Sequence, residues 1–392
     1  MSQLYRSAIS ARMANLPNKS ADSEDEANEE HDELADSLGS LPTGMGPPAF
    51  PRSSTSFPRT KKSPNPAYSP ISPSGYFAQA LEVSVPSRDL NVRAYYTPPR
   101  SERGGVFVLH HGAGYSGTSF ACLAKELVEL TKGEVGVFAF DARRHGKTTA
   151  TGSDENLSME VLVEDLYALI QTVFPEPATA PVLMLVGHSM GGSVVVRACS
   201  KLLEWKYMVS GVAVLDVVEG TAVEALPHMH ALLNTRPEGF DSIEEAIEWH
   251  VNTHTINNLT SARISVPSIL VPKDSNLSPC TRANETYQYR WRTPLRSTAP
   301  YWESWFASLS SLFLSIRTAR LLVLAGAERL DTPLMIGQMQ GKFWLEVMGG
   351  HGVGHLVHED DPTRLAEILS EFWRKNERLE VRGTVVKRVG ER

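Results

Sequence analysis

Residues 185–192 read LVGHSMGG, which sets Ser189 between Gly187 and Gly191 directly after an apolar run. Pro181 to Val186 reads as a short buried strand. Ser193 to Leu203 spaces Val194, Val195, Ala198, Cys199 and Leu202 as a helix with one buried side. A serine on a tight strand-to-helix turn has the setting of a nucleophile. Its backbone is strained, its small neighbours let two segments pass closely, and its hydroxyl stands at the positive end of a helix. The competing reading, a glycine-rich turn with a solvated serine, leaves the strand before and the helix after without a role.

Such a serine needs donors for an oxyanion, a base and an orienting acid. The donors are expected from the loop after an early strand and from the residue after the nucleophile. Gly105 to Leu109 reads as that strand and HHGAGYSG (110–117) as the loop, so the candidates are the backbone N–H groups of Ala113 and Met190. Chain order in this arrangement is serine, acid, histidine. FWLEVMGGHGVGHLVHEDDPT (343–363) therefore supplies the base, from His351, His355 or His358. His355 is preferred, because it follows Gly354 within the loop and precedes the helix start at Asp361 and Pro362. His358 then supports from behind or is structural, and His351 is a loop residue. For the acid, Asp216 ends the run Val212 to Leu215, and Asp331 follows RLLVLAGAERLD (320–331); the residues alone leave both open.

The rest of the 392-residue chain bounds what surrounds these residues. A net charge of −7, 21% charged residues and no basic stripe argue against nucleic acid as a partner. DARRHGK (141–147) reads as a turn beside the active site. Three widely spaced cysteines, Cys122, Cys199 and Cys280, imply a reduced compartment without a disulfide framework or zinc site. No apolar run is long enough to cross a membrane, and the N-terminus has no signal core, so the expected location is the cytoplasm. PRTKKSP (58–64) reads first as a solvated charge run and second as a nuclear import signal, which makes the nucleus the further compartment.

Residues 1–72, an acidic block from Asp22 to Asp36 and then a stretch dense in proline and serine, read as a disordered tail. Residues 376–392 read as a polar C-terminal tail. Between them, 73–375 is expected to form one α/β catalytic domain with a helical lid over roughly 219–318. In that lid SIEEAIEWHVNTH (242–254) has a capping serine and the spacing of an amphipathic helix. YWESWFASLSSLFLS (301–315) reads as a second helix. Its Trp302, Trp305 and Phe306 are expected to form a groove for a peptide or partner, against the plainer alternative of packing onto the sheet.

LVGHSMGG, LDVVEGTA (215–222), IGQMQGKF (336–343) and GHLVHED (354–360) together resemble the protein phosphatase methylesterase family. These are α/β hydrolases that act on phosphatase 2A. GYFAQALEV, DARRHGKT, IEWH, SARISVPS and YWESWFASLSSLFLS extend the likeness from Ser74 to Trp373. The resemblance implies an α/β-hydrolase fold, a mostly parallel sheet flanked by helices. It places the nucleophile on Ser189, the base on His355 and the acid on Asp216, with Asp331 the rival. It also implies a substrate, the methyl ester of the C-terminal leucine of the phosphatase 2A catalytic subunit, and as partners that subunit and its scaffold subunit. The chemistry needs no metal or organic cofactor. VMGGHGVGH (347–355) is longer than the family's loop, and Val271 to Arg296 lacks the acidic insertion that some members carry. The alternatives are a small-molecule esterase or lipase, which shares every catalytic residue, and a non-catalytic phosphatase-binding protein.

Overall fold

The computed structural model describes residues 63–101, 104–273, 287–326, 330–350 and 352–377. His351, Cys280, the acidic block, residues 58–62 of PRTKKSP and the chain beyond residue 377 lie outside the described residues. In chain order the strands are β1 (Gln79–Val85), β2 (Leu90–Thr97), β3 (Val106–His110), β4 (Gly136–Phe140), β5 (Thr149–Ala150), β6 (Leu183–His188), β7 (Val209–Leu215), β8 (Gly239–Phe240), β9 (Leu270–Pro272), β10 (Tyr289–Trp291), β11 (Ala319–Leu324) and β12 (Trp344–Val347). The helices are α1 (Ala121–Leu130), α2 (Met159–Val173), α3 (Met190–Glu204), α4 (Glu219–Thr235), α5 (Ile243–Asn252), α6 (Leu259–Ser265), α7 (Trp302–Phe306), α8 (Leu309–Ser315), α9 (Thr332–Met339), α10 (Val357–Asp360) and α11 (Pro362–Asn376).

The main sheet runs β1-β2-β4-β3-β6-β7-β11-β12, with β5 paired to β2. From β4 to β12 every pairing is parallel; β1 and β2 join antiparallel. Parallel strands need helical crossovers, which cover both faces, and so β3, β4, β6 and β7 are buried along their whole length. This is why they read as continuous apolar runs and not as alternating ones. One face packs on α2 and α3, the other on α1 and α11. The chain leaves β3 for β4 on one side and returns to β6 on the other. That switch point opens a crevice at the C-terminal ends of β3 and β6.

The segment between β7 and β11 was expected as a helical lid, and it also carries a sheet. β8, β10 and β9 pair antiparallel around a small core that includes Phe240, Ile247, Ile256, Ile269 and Leu356. Strands of two or three residues are too short to show alternation in the sequence. The predicted helix at 242–254 forms as Ile243–Asn252, with the Ser242 hydroxyl accepting from Glu245 N–H at 3.1 Å. The helix expected across 301–315 is two, α7 and α8. The break is at Ser308, whose φ of 61° is left-handed. The Glu219 carboxylate accepts from Ser308 N–H (2.7 Å) and Ser310 N–H (3.0 Å), capping the second helix from a residue far away in the chain.

Described residues before the expected boundary at residue 73 also pack on the fold. Asn65 caps a short turn of 3₁₀ helix at Pro66–Tyr68, Ile71 N–H donates to Arg263 O (2.9 Å), and Tyr68 packs on the small core. Tyr68 and Ile71 supply the apolar surface that the proline-rich composition hides. Among the described residues no helix is long and apolar enough to cross a membrane.

Candidate active site

The C-terminal end of β6 carries the elbow. Ser189 has φ 51° and ψ −121°, a conformation L-residues rarely adopt, and α3 starts at the next residue. Two glycines are required by contact. A Cβ at Gly187 would stand 2.2 Å from Gly191 O, and one at Gly191 would stand 2.3 Å from His110 O. The strained turn is pinned by Ser189 N–H donating to Leu215 O at 3.0 Å. Register pairs His188 with Leu215, so Ser189 and Asp216 leave adjacent strands at the same level.

Asp216 is buried, and its two oxygens have separate tasks. Oδ1 accepts from Ala325 N–H at 2.7 Å, and Oδ2 accepts from His355 Nδ1–H at 2.7 Å. A carboxylate can only accept here, which fixes the proton on Nδ1 and leaves the imidazole lone pair on Nε2. The His355 ring is one-third exposed while Asp216 is almost fully enclosed. His188 Nε2–H donates to His355 O at 2.9 Å, and the two rings are 4.6 Å apart, so the candidate base lies beside the elbow. Asp360 completes the support: Oδ2 accepts from Gly354 N–H (2.8 Å) and Oδ1 from Asn257 N–H (2.7 Å).

Ala113 lies in the loop after β3, half-buried, and Gly112 is pressed so close to His188 that a Cβ there would meet Nδ1 at 2.7 Å. Met190 is the first residue of α3, where the backbone N–H has no acceptor within the helix. A hydroxyl, a tautomer-fixed imidazole and two candidate donors at a positive helix end are the parts needed for acyl transfer.

A model of the alpha/beta hydrolase family matches residues 107–368. A Cryptococcus neoformans protein named protein phosphatase methylesterase 1 is 44% identical, covering 97% of this chain and 94% of its own. The protein of that name from Aspergillus fumigatus is 38% identical, covering 96% and 90%. The chain belongs to the protein phosphatase methylesterase family. Among solved structures, E-2-(acetamidomethylene)succinate hydrolase superposes with TM-score 0.58 at 18% identity, covering 76% of this chain and 99% of its own. An M. tuberculosis esterase gives 0.54 at 17%, covering 76% and 92%. At such identities these two support the fold alone.

Within this methylesterase fold the structure separates residues that the sequence groups together. Asp331, the rival acid, is the N-cap of α9: Oδ1 accepts from Leu334 N–H (3.1 Å), while Oδ2 accepts from Ser310 Oγ (2.5 Å) and Gly220 N–H (3.3 Å). His358 is fully buried against Phe120 and His188, and burial pushes its pKa down to about 3, so it is a neutral packing group. The aromatic groove expected in the insertion is corrected. Trp302 and Trp305 are buried in the main core, and their indole N–H groups are satisfied there by Thr298 Oγ1 (2.8 Å) and Leu157 O (2.7 Å). Phe306 is half-buried and packs on the same core. Helical spacing of aromatics marks an apolar face without saying what covers it, and here helices α3 and α4 of the same chain do. Sequence reasoning also missed His188, which occupies a variable position of the serine motif yet holds the His355 backbone.

Proposed function

We propose that the protein is a serine carboxylesterase that removes the methyl ester from the C-terminal leucine of the phosphatase 2A catalytic subunit, releasing methanol. The observation that carries the esterase part is the 2.7 Å bond from His355 Nδ1–H to Asp216, at the level where the strained Ser189 leaves the neighbouring strand. The substrate is supported by the relatives that are named protein phosphatase methylesterase 1.

In this reading His355 Nε2 takes the Ser189 proton as Oγ attacks the ester carbonyl. Asp216 holds the ring in the Nδ1–H tautomer and stabilises the imidazolium that forms. The carbonyl oxygen becomes an oxyanion, received by the N–H groups of Ala113 and Met190, which together are worth several kcal/mol of barrier, about 3 to 4 for a single donor. Collapse of the tetrahedral intermediate breaks the bond to the methoxy oxygen, and His355 gives it the proton, so methanol leaves. Water then attacks the acyl-serine, with the same histidine as base, and the leucine carboxylate departs with its negative charge restored. The insertion expected over roughly 219–318 acts as the lid that admits the phosphatase tail.

The test compares kcat/KM for the methylated phosphatase catalytic subunit with that for a short-chain p-nitrophenyl ester. The methylated protein is expected to win by at least roughly 100-fold, since binding remote from the bond raises transition-state affinity. A preference for the short ester would favour a small-molecule esterase.

A further inference from the structure

The loop that presents Ala113 is held by a second loop, Asp141 to Thr148, which the sequence marks as a turn beside the active site. Contact is made at three points. Ala142 N–H donates to His111 Nε2 (2.9 Å), Gly114 N–H donates to His145 Nε2 (2.9 Å), and Gly117 N–H donates to Asp141 Oδ1 (2.8 Å). Each of the two imidazoles also binds a backbone carbonyl through Nδ1–H: His111 to Gly112 O (2.8 Å) and His145 to Arg143 O (2.8 Å). An amide N–H can only donate and a carbonyl can only accept, so both rings are neutral with the proton on Nδ1. Both are fully buried, with ring centres 5.0 Å apart, and burial keeps them uncharged.

The consequence for Ala113 follows from peptide planarity. In a trans peptide the carbonyl and the next N–H point in opposite directions, so holding one aims the other. His111 holds Gly112 O, in the same plane as Ala113 N–H. His145 holds Gly114 N–H, in the same plane as Ala113 O. The planes on either side of Ala113 are thus both fixed. Gly114, which ends the second plane, has φ +83°, a left-handed conformation that residues with a side chain rarely adopt.

We propose that His145 is a positioning residue for ester hydrolysis: it reaches from a separate loop to lock the peptide after Ala113, completing with His111 a clamp that aims Ala113 N–H. This rests on the reading that Ala113 N–H receives the oxyanion. The sequence around His145 is shaped for the task. A Cβ at Gly146 would stand 2.0 Å from Asp141 Oδ2, so glycine there lets the turn close and bring the imidazole across. Lysine or arginine could not accept from Gly114 N–H, and an apolar side chain would leave that donor buried without a partner. Glutamine carries an oxygen and an N–H in the same 1,3 relation as the two ring nitrogens, and is the substitution that preserves both bonds.

The experiment uses the full chain, a C-terminal methyl-ester peptide as substrate and an alkylboronic acid as probe, whose tetrahedral serine adduct places an oxygen where the oxyanion forms. His145→Leu is expected to lower kcat by roughly 10- to 100-fold with KM little changed, part of the effect of losing a donor outright. Boronate affinity should fall by the same factor, and His145→Gln should restore most of both. A folded His145→Leu protein with wild-type kcat and boronate affinity overturns the clamp, as does a loss of kcat with boronate affinity intact. Should His145→Leu not fold, ¹⁵N spectra of the wild-type imidazoles decide: Nδ1–H tautomers at positions 111 and 145 support the clamp, and an Nε2–H tautomer or a charged ring at 145 overturns it. Ser189→Ala separates the two levels. If it hydrolyses the peptide as fast as wild type, the esterase reading fails and the clamp with it; if it is inactive and His145→Leu is unimpaired, the clamp alone fails.

Discussion

Asp216 follows β7 and Asp331 follows β11, neighbouring parallel strands, and their carboxylates are used in opposite ways. Asp216 sits at φ 50°, strained for a residue with a side chain, and turns one oxygen to a histidine from the far end of the chain. Asp331 sits in relaxed extended backbone at φ −64° and ψ 163°, with its oxygens taken by the start of its own helix, a serine of α8 and the first turn of α4. A carboxylate after a strand is thus no more than an available acceptor. Which donors reach it decides whether it orients a base or ends a helix. Of the two aspartates, the one that holds His355 carries the positive φ, and Ser189 shares it.

The sharpest way to break this contrast is to neutralise each aspartate in turn. Asp216→Asn should lower kcat by about 10⁴-fold, because an amide facing Nδ1 favours the wrong tautomer. Asp331→Asn should leave kcat for methanol release unchanged. Reversal of the two results would exchange their roles.

A third carboxylate, Glu359, sharpens the contrast by having neither task. It is fully buried, accepts a bond from Ser265 Oγ at 2.6 Å, and burial pushes its pKa up to about 8. Between the ordinary value of 4.5 and about 8 the folded protein holds a proton that the unfolded chain has lost. Stability contributed by this group is therefore lost as pH rises through that window, by up to about 1.4 kcal/mol per pH unit. Denaturant unfolding between pH 5 and 9 should show a flatter profile for Glu359→Gln; an identical profile would remove the buried proton.

Smaller effects are expected on stability alone. Asp331→Ala removes the cap of α9 and should cost about 1 to 2 kcal/mol, read from the denaturant midpoint, with kcat retained. Ser189→Gly relieves the positive φ and should stabilise the fold by about 1 kcal/mol while abolishing turnover. A destabilised Ser189→Gly protein would mean that the elbow is not strained.

Much of the site was legible in the sequence because it rests on local pattern. Glycines that must pass other backbone announce the elbow, and fully covered parallel strands announce β3, β6 and β7. What stayed hidden depends on distant partners. The break at Ser308 is made by Glu219, and the burial of Trp302 and Trp305 by the core beneath them. Residues alone could not choose between Asp216 and Asp331, since the choice lies in which aspartate His355 reaches. His145 and His188 were unreadable for the same reason: their partners are backbone atoms of loops that only the folded sheet brings together.

Labelling with a fluorophosphonate, followed by peptide mass spectrometry and a methanol-release assay on methylated phosphatase, tests most directly whether the hydroxyl at the elbow does the chemistry. A single adduct on Ser189 is expected, with release falling in proportion to the fraction labelled. Release that persists in fully labelled protein, or an adduct on another residue that alone abolishes it, would contradict the assignment.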